Sequence, residues 1–139
     1  MWGTYTTDDQ GRLRTWIRLV VVRKQDGVRL ETDDATKRRV LTIEPPAVPG
    51  EELPDLAESS WWAHVAVSGP LADGELERVL AQEPARSVSR LLCPRRLASA
   101  TAYFACVVPA FSAGVDAGLG RPVDDKAPLA DAWTAASQR

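Results

Sequence analysis

The chain predicts an α+β domain: a mostly antiparallel sheet of about five to six strands, beginning with a meander, plus two or three short helices. Three observations carry that reading. Short runs rich in valine, leucine and isoleucine recur between turn residues, helical periodicity is confined to two brief stretches, and no internal repeat is present. The 139 residues, 45% hydrophobic and 26% charged, suit one domain with enough apolar material for a core.

The first strand is expected over residues 14–23, where Ile17, Leu19 and Val21 alternate with Trp16, Arg18, Val20 and Val22. β-Branched residues on both sides of its second half suit the middle of a sheet. Asp26-Gly27 then supplies the positive backbone dihedrals of a tight hairpin turn. From there the chain should return along 28–31, turn at Asp33-Asp34-Ala35-Thr36 and run out along 39–44 through Val40, Leu41 and Ile43. Pro45, Pro46, Pro49 and Pro54 deny the next stretch a continuous row of backbone donors, so it reads as a connector with a short helix over 54–59.

Alternation resumes over 61–67, a fourth strand. Leu76, Val79 and Leu80 make a narrow apolar stripe on a helix spanning 71–82, with Asp73 as its amino-terminal cap and Pro84 beyond its end. Residues 88–93 and 101–108 are two more strands around a Pro94-Arg95-Arg96 turn. Phe111, Val115 and Leu119 recur every four residues, which predicts a helix starting near Ala110 and closed by Gly118 or Gly120. A single domain over 1–120 is then followed by an extended tail, 121–139, whose composition predicts order only against something else.

Charge is segregated although the net value is only −2. Residues 1–40 carry nine basic and six acidic groups, 41–83 one basic and nine acidic, and 84–100 four arginines and no carboxylate. Two readings compete: complementary patches for a partner or for self-association, and pairing within the fold. The overall balance argues against a nucleic-acid binder, and the arginines near Pro94 lack interleaved aromatics on which bases would stack. No run approaches 18 apolar residues and residues 1–5 lack the layout of a secretion signal, so a cytoplasmic protein without membrane contact is expected.

Candidate chemistry is thin. His64 is the single histidine, which rules out a paired-histidine metal site, and no Gly-x-Ser-x-Gly elbow supplies a nucleophile for it to activate. Gly114, Gly118 and Gly120 place their close pair last, where a dinucleotide fingerprint places it first. Cys93 and Cys106 have neither zinc-site spacing nor companion histidines and read as reduced, buried thiols, with a disulfide left open. Glu51-Glu52 and Asp124-Asp125 read as surface carboxylates. No cofactor and no metal are expected. Five tryptophans stand beside two phenylalanines and two tyrosines, and Trp2, Trp61, Trp62 and Trp133 cannot all occupy one small core. Either they divide between core and surface, or some form the centre of a protein interface, where indoles are enriched. With Arg95 and Arg96 they are the candidate interface residues.

One string stands out as a whole: Leu91-Leu92-Cys93-Pro94-Arg95-Arg96-Leu97, then Thr101-Ala102-Tyr103-Phe104-Ala105-Cys106-Val107-Val108-Pro109-Ala110-Phe111, then Ala113-Gly114 and Ala117-Gly118-Leu119-Gly120. Together with the Trp16-to-Val22 strand and Trp62-Ala63-His64-Val65, it resembles an uncharacterised bacterial family associated with gene clusters for extracellular contractile injection systems, the phage-tail-like particles. Ser112 stands where that family carries an acidic residue and Thr15 where it carries proline. The resemblance implies a non-enzymatic structural or accessory subunit that works through contacts with other protein subunits, self-association included. A small ligand-binding or enzymatic domain with a pocket around His64 is the competing reading, and a transient, chaperone-like binder is a third.

Overall fold

The β-branched run near the start of the chain forms β1, Ile17–Arg23, with Val20 and Val22 fully buried and Val21 nearly so. The structure, a computed structural model, describes residues 7, 11, 14–124 and 126–134. β1 pairs antiparallel with β6, Tyr103–Pro109, placing Val20 opposite Cys106. β2, Val28–Thr32, pairs with β3, Arg39–Ile43, and β4, Ala63–Val67, pairs with β5, Ser87–Leu91. The α+β class and the antiparallel strands are as expected, but among the described residues the strands divide into three two-stranded ladders instead of one sheet opening with a meander.

The division is made at Gly27. Val28 N–H donates to the Gln25 carbonyl at 3.0 Å, a single tight turn, while Glu44 N–H donates to the Gly27 carbonyl at 2.8 Å. Gly27 therefore already belongs to the β2–β3 ladder, and Lys24 N–H, bonded to the Ala102 carbonyl at 2.9 Å, extends the β1–β6 ladder instead. Gly27 sits at φ +83°, and a Cβ there would lie 2.1 Å from the Glu44 carbonyl oxygen. The turn carries the chain away from β1 into a second layer.

That layer covers the β1–β6 face that bears Val20, Val22, Phe104 and Val108, which packs with Val28, Leu41, Ile43, Ala47 and Leu53. Two-stranded ladders are marginal alone in water, so this face-to-face burial is what holds both. A second cluster joins Leu56, Ala110 and Phe111 to Leu129 and Ala132, and Trp133 packs against both clusters. Leu129, Ala132 and Trp133 thus find their packing surface on their own chain. Phe111 and Asp131 form an isolated antiparallel bridge, and Ser112 and Ala132 N–H groups donate to the Ala130 and Ala110 carbonyls, each at 2.9 Å.

Helices are short. α1 spans Pro49–Glu52, and a 3-10 turn spans Leu56–Trp61, over most of the stretch where a helix at 54–59 is expected. α2, Leu76–Gln82, begins later than the 71–82 expectation, because Gly74 at φ +78° lies outside right-handed helical space, and Asp73 therefore caps nothing. Of its apolar stripe only Val79 is fully buried, while Leu76 and Leu80 stay on the surface beside a ribbon two strands wide. α3, Ser112–Gly118, ends with Arg121 N–H donating back to the Asp116 carbonyl at 2.8 Å. Among the described residues no helix is long and apolar enough to cross a membrane.

Candidate functional site

Three features compete for a functional role, and burial separates them. The first is the β4–α2–β5 unit. On a half-buried ribbon one face is polar and one is covered, yet here His64, Val65 and Ala66 of β4 and Val88, Ser89 and Arg90 of β5 are all exposed. Val65 is 72% accessible and Trp61, at the foot of β4, is 60% accessible. Leu71, Leu76, Leu80, Val88 and Leu92 add to the exposed apolar surface of the same unit. Trp62 is half-buried, and its carbonyl accepts from Leu92 N–H at 2.8 Å, closing the ladder next to Trp61.

The second is a buried ion cluster centred on Glu52, which was expected at the surface. Its side chain is wholly buried at the end of α1. It accepts from Arg23 N–H at 2.8 Å, Arg23 Nε at 3.0 Å, Gln25 Nε2 at 3.1 Å and the Arg95 guanidinium at 2.5 Å. Arg95 also donates to the Val21 carbonyl at 3.0 Å and the Glu51 carbonyl at 2.8 Å. Burial pushes the Glu52 carboxyl up, but the Arg95 hydrogen bond, the Arg23 backbone N–H and the Arg95 charge outweigh it and hold the group below the ordinary carboxylate range. A small cavity of about 190 Å³ lies beside this cluster, and its polar walls are already occupied with one another.

Glu52 and Arg95 come from the acidic and basic blocks of the sequence, as do Glu83 and Arg86, paired at 3.0 Å. Arg29 and Glu44 at 2.6 Å join the first block to the second. Much of the segregated charge is thus paired within the fold. The six candidate interface residues are consequently dispersed. Trp61 and Arg96 are exposed, Trp62 is half-buried, Arg95 is committed to Glu52, and Trp133 is packed inward with Nε1 donating to the Pro54 carbonyl at 2.8 Å. Trp2 lies outside the described residues.

The third feature, not foreseen from the sequence, is a cavity of about 400 Å³ between the inward face of β1–β6 and β3, closed by α3 and residues 132–133. Val20, Leu41, Val108, Leu119 and Trp133 give it apolar walls, and Arg38 and Arg39 stand in its lining with no acidic residue. On the same sheet face, outside the cavity lining, lies Arg18, 1% exposed, whose Nε and Nη2 have no hydrogen-bond partner among the described residues. Burial lowers its pKa to about 10, so it stays cationic at neutral pH. Its place on the side of Val20 and Val22 is legible in the alternation of the strand, whereas its burial is decided by the packing around β1.

His64 lines neither cavity; it is exposed on β4, with Nε2 3.1 Å from the Trp61 carbonyl. Cys93 and Cys106 are free and half-buried. Burial raises the Cys106 thiol pKa, and the Arg39 charge pulls against it. Compared with known proteins, the chain matches no family model, no curated protein and no solved structure.

Proposed function

We propose that the chain is a non-enzymatic structural or accessory subunit of a multi-protein assembly, of the phage-tail-like contractile kind its sequence resembles, acting through protein contacts. The observation that carries this reading is the β4–β5 ladder, exposed on both faces with Val65 and Val88 outward and Trp61 at its foot. A two-stranded ribbon in water gains little from its own packing, and exposed apolar clusters of this kind mark protein-binding surfaces. Among the described residues the ladder has no third strand, so its outer edges offer backbone groups for strand addition by a neighbouring subunit.

Light scattering across a concentration series tests the reading on the purified chain, alone and with candidate neighbouring subunits. Trp61→Ala, Trp62→Ala and Val65→Glu should retain the wild-type circular dichroism spectrum and associate less. Equal association by folded variants and parent would refute it. Neighbouring genes for sheath and tube proteins would support the particle assignment, and an isolated metabolic setting would remove it.

A further inference from the structure

The 400 Å³ cavity falls in the size range of small-molecule sites, and its walls are hydrocarbon. Its charge is one-sided. Among its lining residues the only exposed ones are Arg38 and Arg39, which therefore mark the mouth. The Arg38 guanidinium is already used, donating to the Ala117 and Gly118 carbonyls at 3.0 and 3.2 Å, where it closes the end of α3. The Arg39 guanidinium makes no ion pair or hydrogen bond with the described residues. Arg39 is exposed and stands in the cavity lining, so its charge lies at the opening with no acidic residue of the lining to answer it.

Arg18 does not line the cavity but adds a buried positive charge near it on the same sheet face. It lies two residues from Val20 and directly across the ladder from Val108, and both of those residues line the cavity. The lining holds no carboxylate, so the interior is apolar and the charged side chains at its mouth are both cationic. Water gains little in such a space, and a neutral hydrocarbon leaves the arginines unanswered. An anion with an apolar body satisfies both.

We propose that this cavity binds a small amphipathic carboxylate of the fatty-acid type, its acyl chain against Val20, Leu41, Val108 and Leu119 and its carboxylate paired with Arg39 at the mouth. The site is separate from the β4–β5 ladder and does not rest on the assembly reading.

Calorimetric titration with decanoate and with decanol, both below their aggregation concentrations, tests it. Wild-type protein should bind decanoate more tightly than decanol by on the order of ten- to a hundred-fold, the contribution of a hydrogen bond to a charged partner. Arg39→Ala, at an exposed position, should remain folded and bind the two ligands equally. Leu119→Trp, which fills the cavity, should bind neither. Equal affinity of the wild type for both ligands, retained discrimination in Arg39→Ala, or no binding of decanoate at all would each overturn the proposal. Binding of an apolar peptide through its free carboxyl terminus, with decanoate inert, would overturn it in favour of a protein segment.

Discussion

Replacing Glu52 by alanine is the sharpest test of how this fold is held together. The side chain is fully buried and ties three segments together: α1, the end of β1 through Arg23, and the loop after β5 through Arg95. Removing one partner of a buried ion pair ordinarily costs about 3–5 kcal/mol, because the other charge is left without an answer. Here Arg23 is 42% exposed and can turn to water, and Arg95 keeps the Val21 and Glu51 carbonyls. Those outlets place the expected loss at the low end, about 3 kcal/mol, or a fall in Tm of about 10 °C for a domain of this size. Urea denaturation of Glu52→Ala, Arg95→Ala and the double variant measures both the loss and the coupling, which should be about 1–3 kcal/mol. Glu51→Ala is the control: its side chain is 68% exposed and 3.9 Å from Arg23, so a change within about 0.5 kcal/mol is expected. The pH dependence follows from the lowered Glu52 pKa. Its contribution is fully present above the unfolded value near 4.5 and is lost as pH falls through the lower folded value, so the gap between wild type and Glu52→Gln should close in acid. A Glu52→Ala protein within about 0.5 kcal/mol of wild type at pH 7 would refute the reasoning.

Two further predictions concern backbone and core. Arg18→Met exchanges an unpaired buried cation for an apolar chain of similar length and should leave stability unchanged or raise it by about 1–3 kcal/mol in urea, whereas a loss beyond about 1 kcal/mol would mean the guanidinium has a partner. Gly27→Ala combines a positive φ with a Cβ 2.1 Å from the Glu44 carbonyl and should cost about 2 kcal/mol or more, while Gly118→Ala, with nothing within 4 Å of its Cβ, should be neutral or stabilising by up to about 1 kcal/mol; thermal melts of the pair compare them directly.

The elements themselves were legible because their causes are local. Alternation located β1 and β6 to within a few residues, Phe111, Val115 and Leu119 located α3, and Asp26-Gly27 located a reversal. The late start of α2 was also written in the chain, at Gly74, and was outweighed by the apolar stripe that follows it. Candidate site residues fared differently. Trp61 is at the surface, but Trp133 and Arg95 serve the interior, since residue type alone reports that an indole or guanidinium needs a partner and not whether that partner lies in the same chain.

By itself the sequence determined the class of the fold, the antiparallel strands and the side of β1 on which Arg18 falls, because dihedral preference and side-chain period are properties of consecutive residues. Tertiary structure alone decided that β1 pairs with β6 across eighty or more residues, that Glu52 is buried between two arginines, and that an apolar cavity with a cationic mouth opens between two ladders. Pairing and burial are set by which surfaces remain to be covered once every segment has folded locally, and that quantity exists only when all of them are present together.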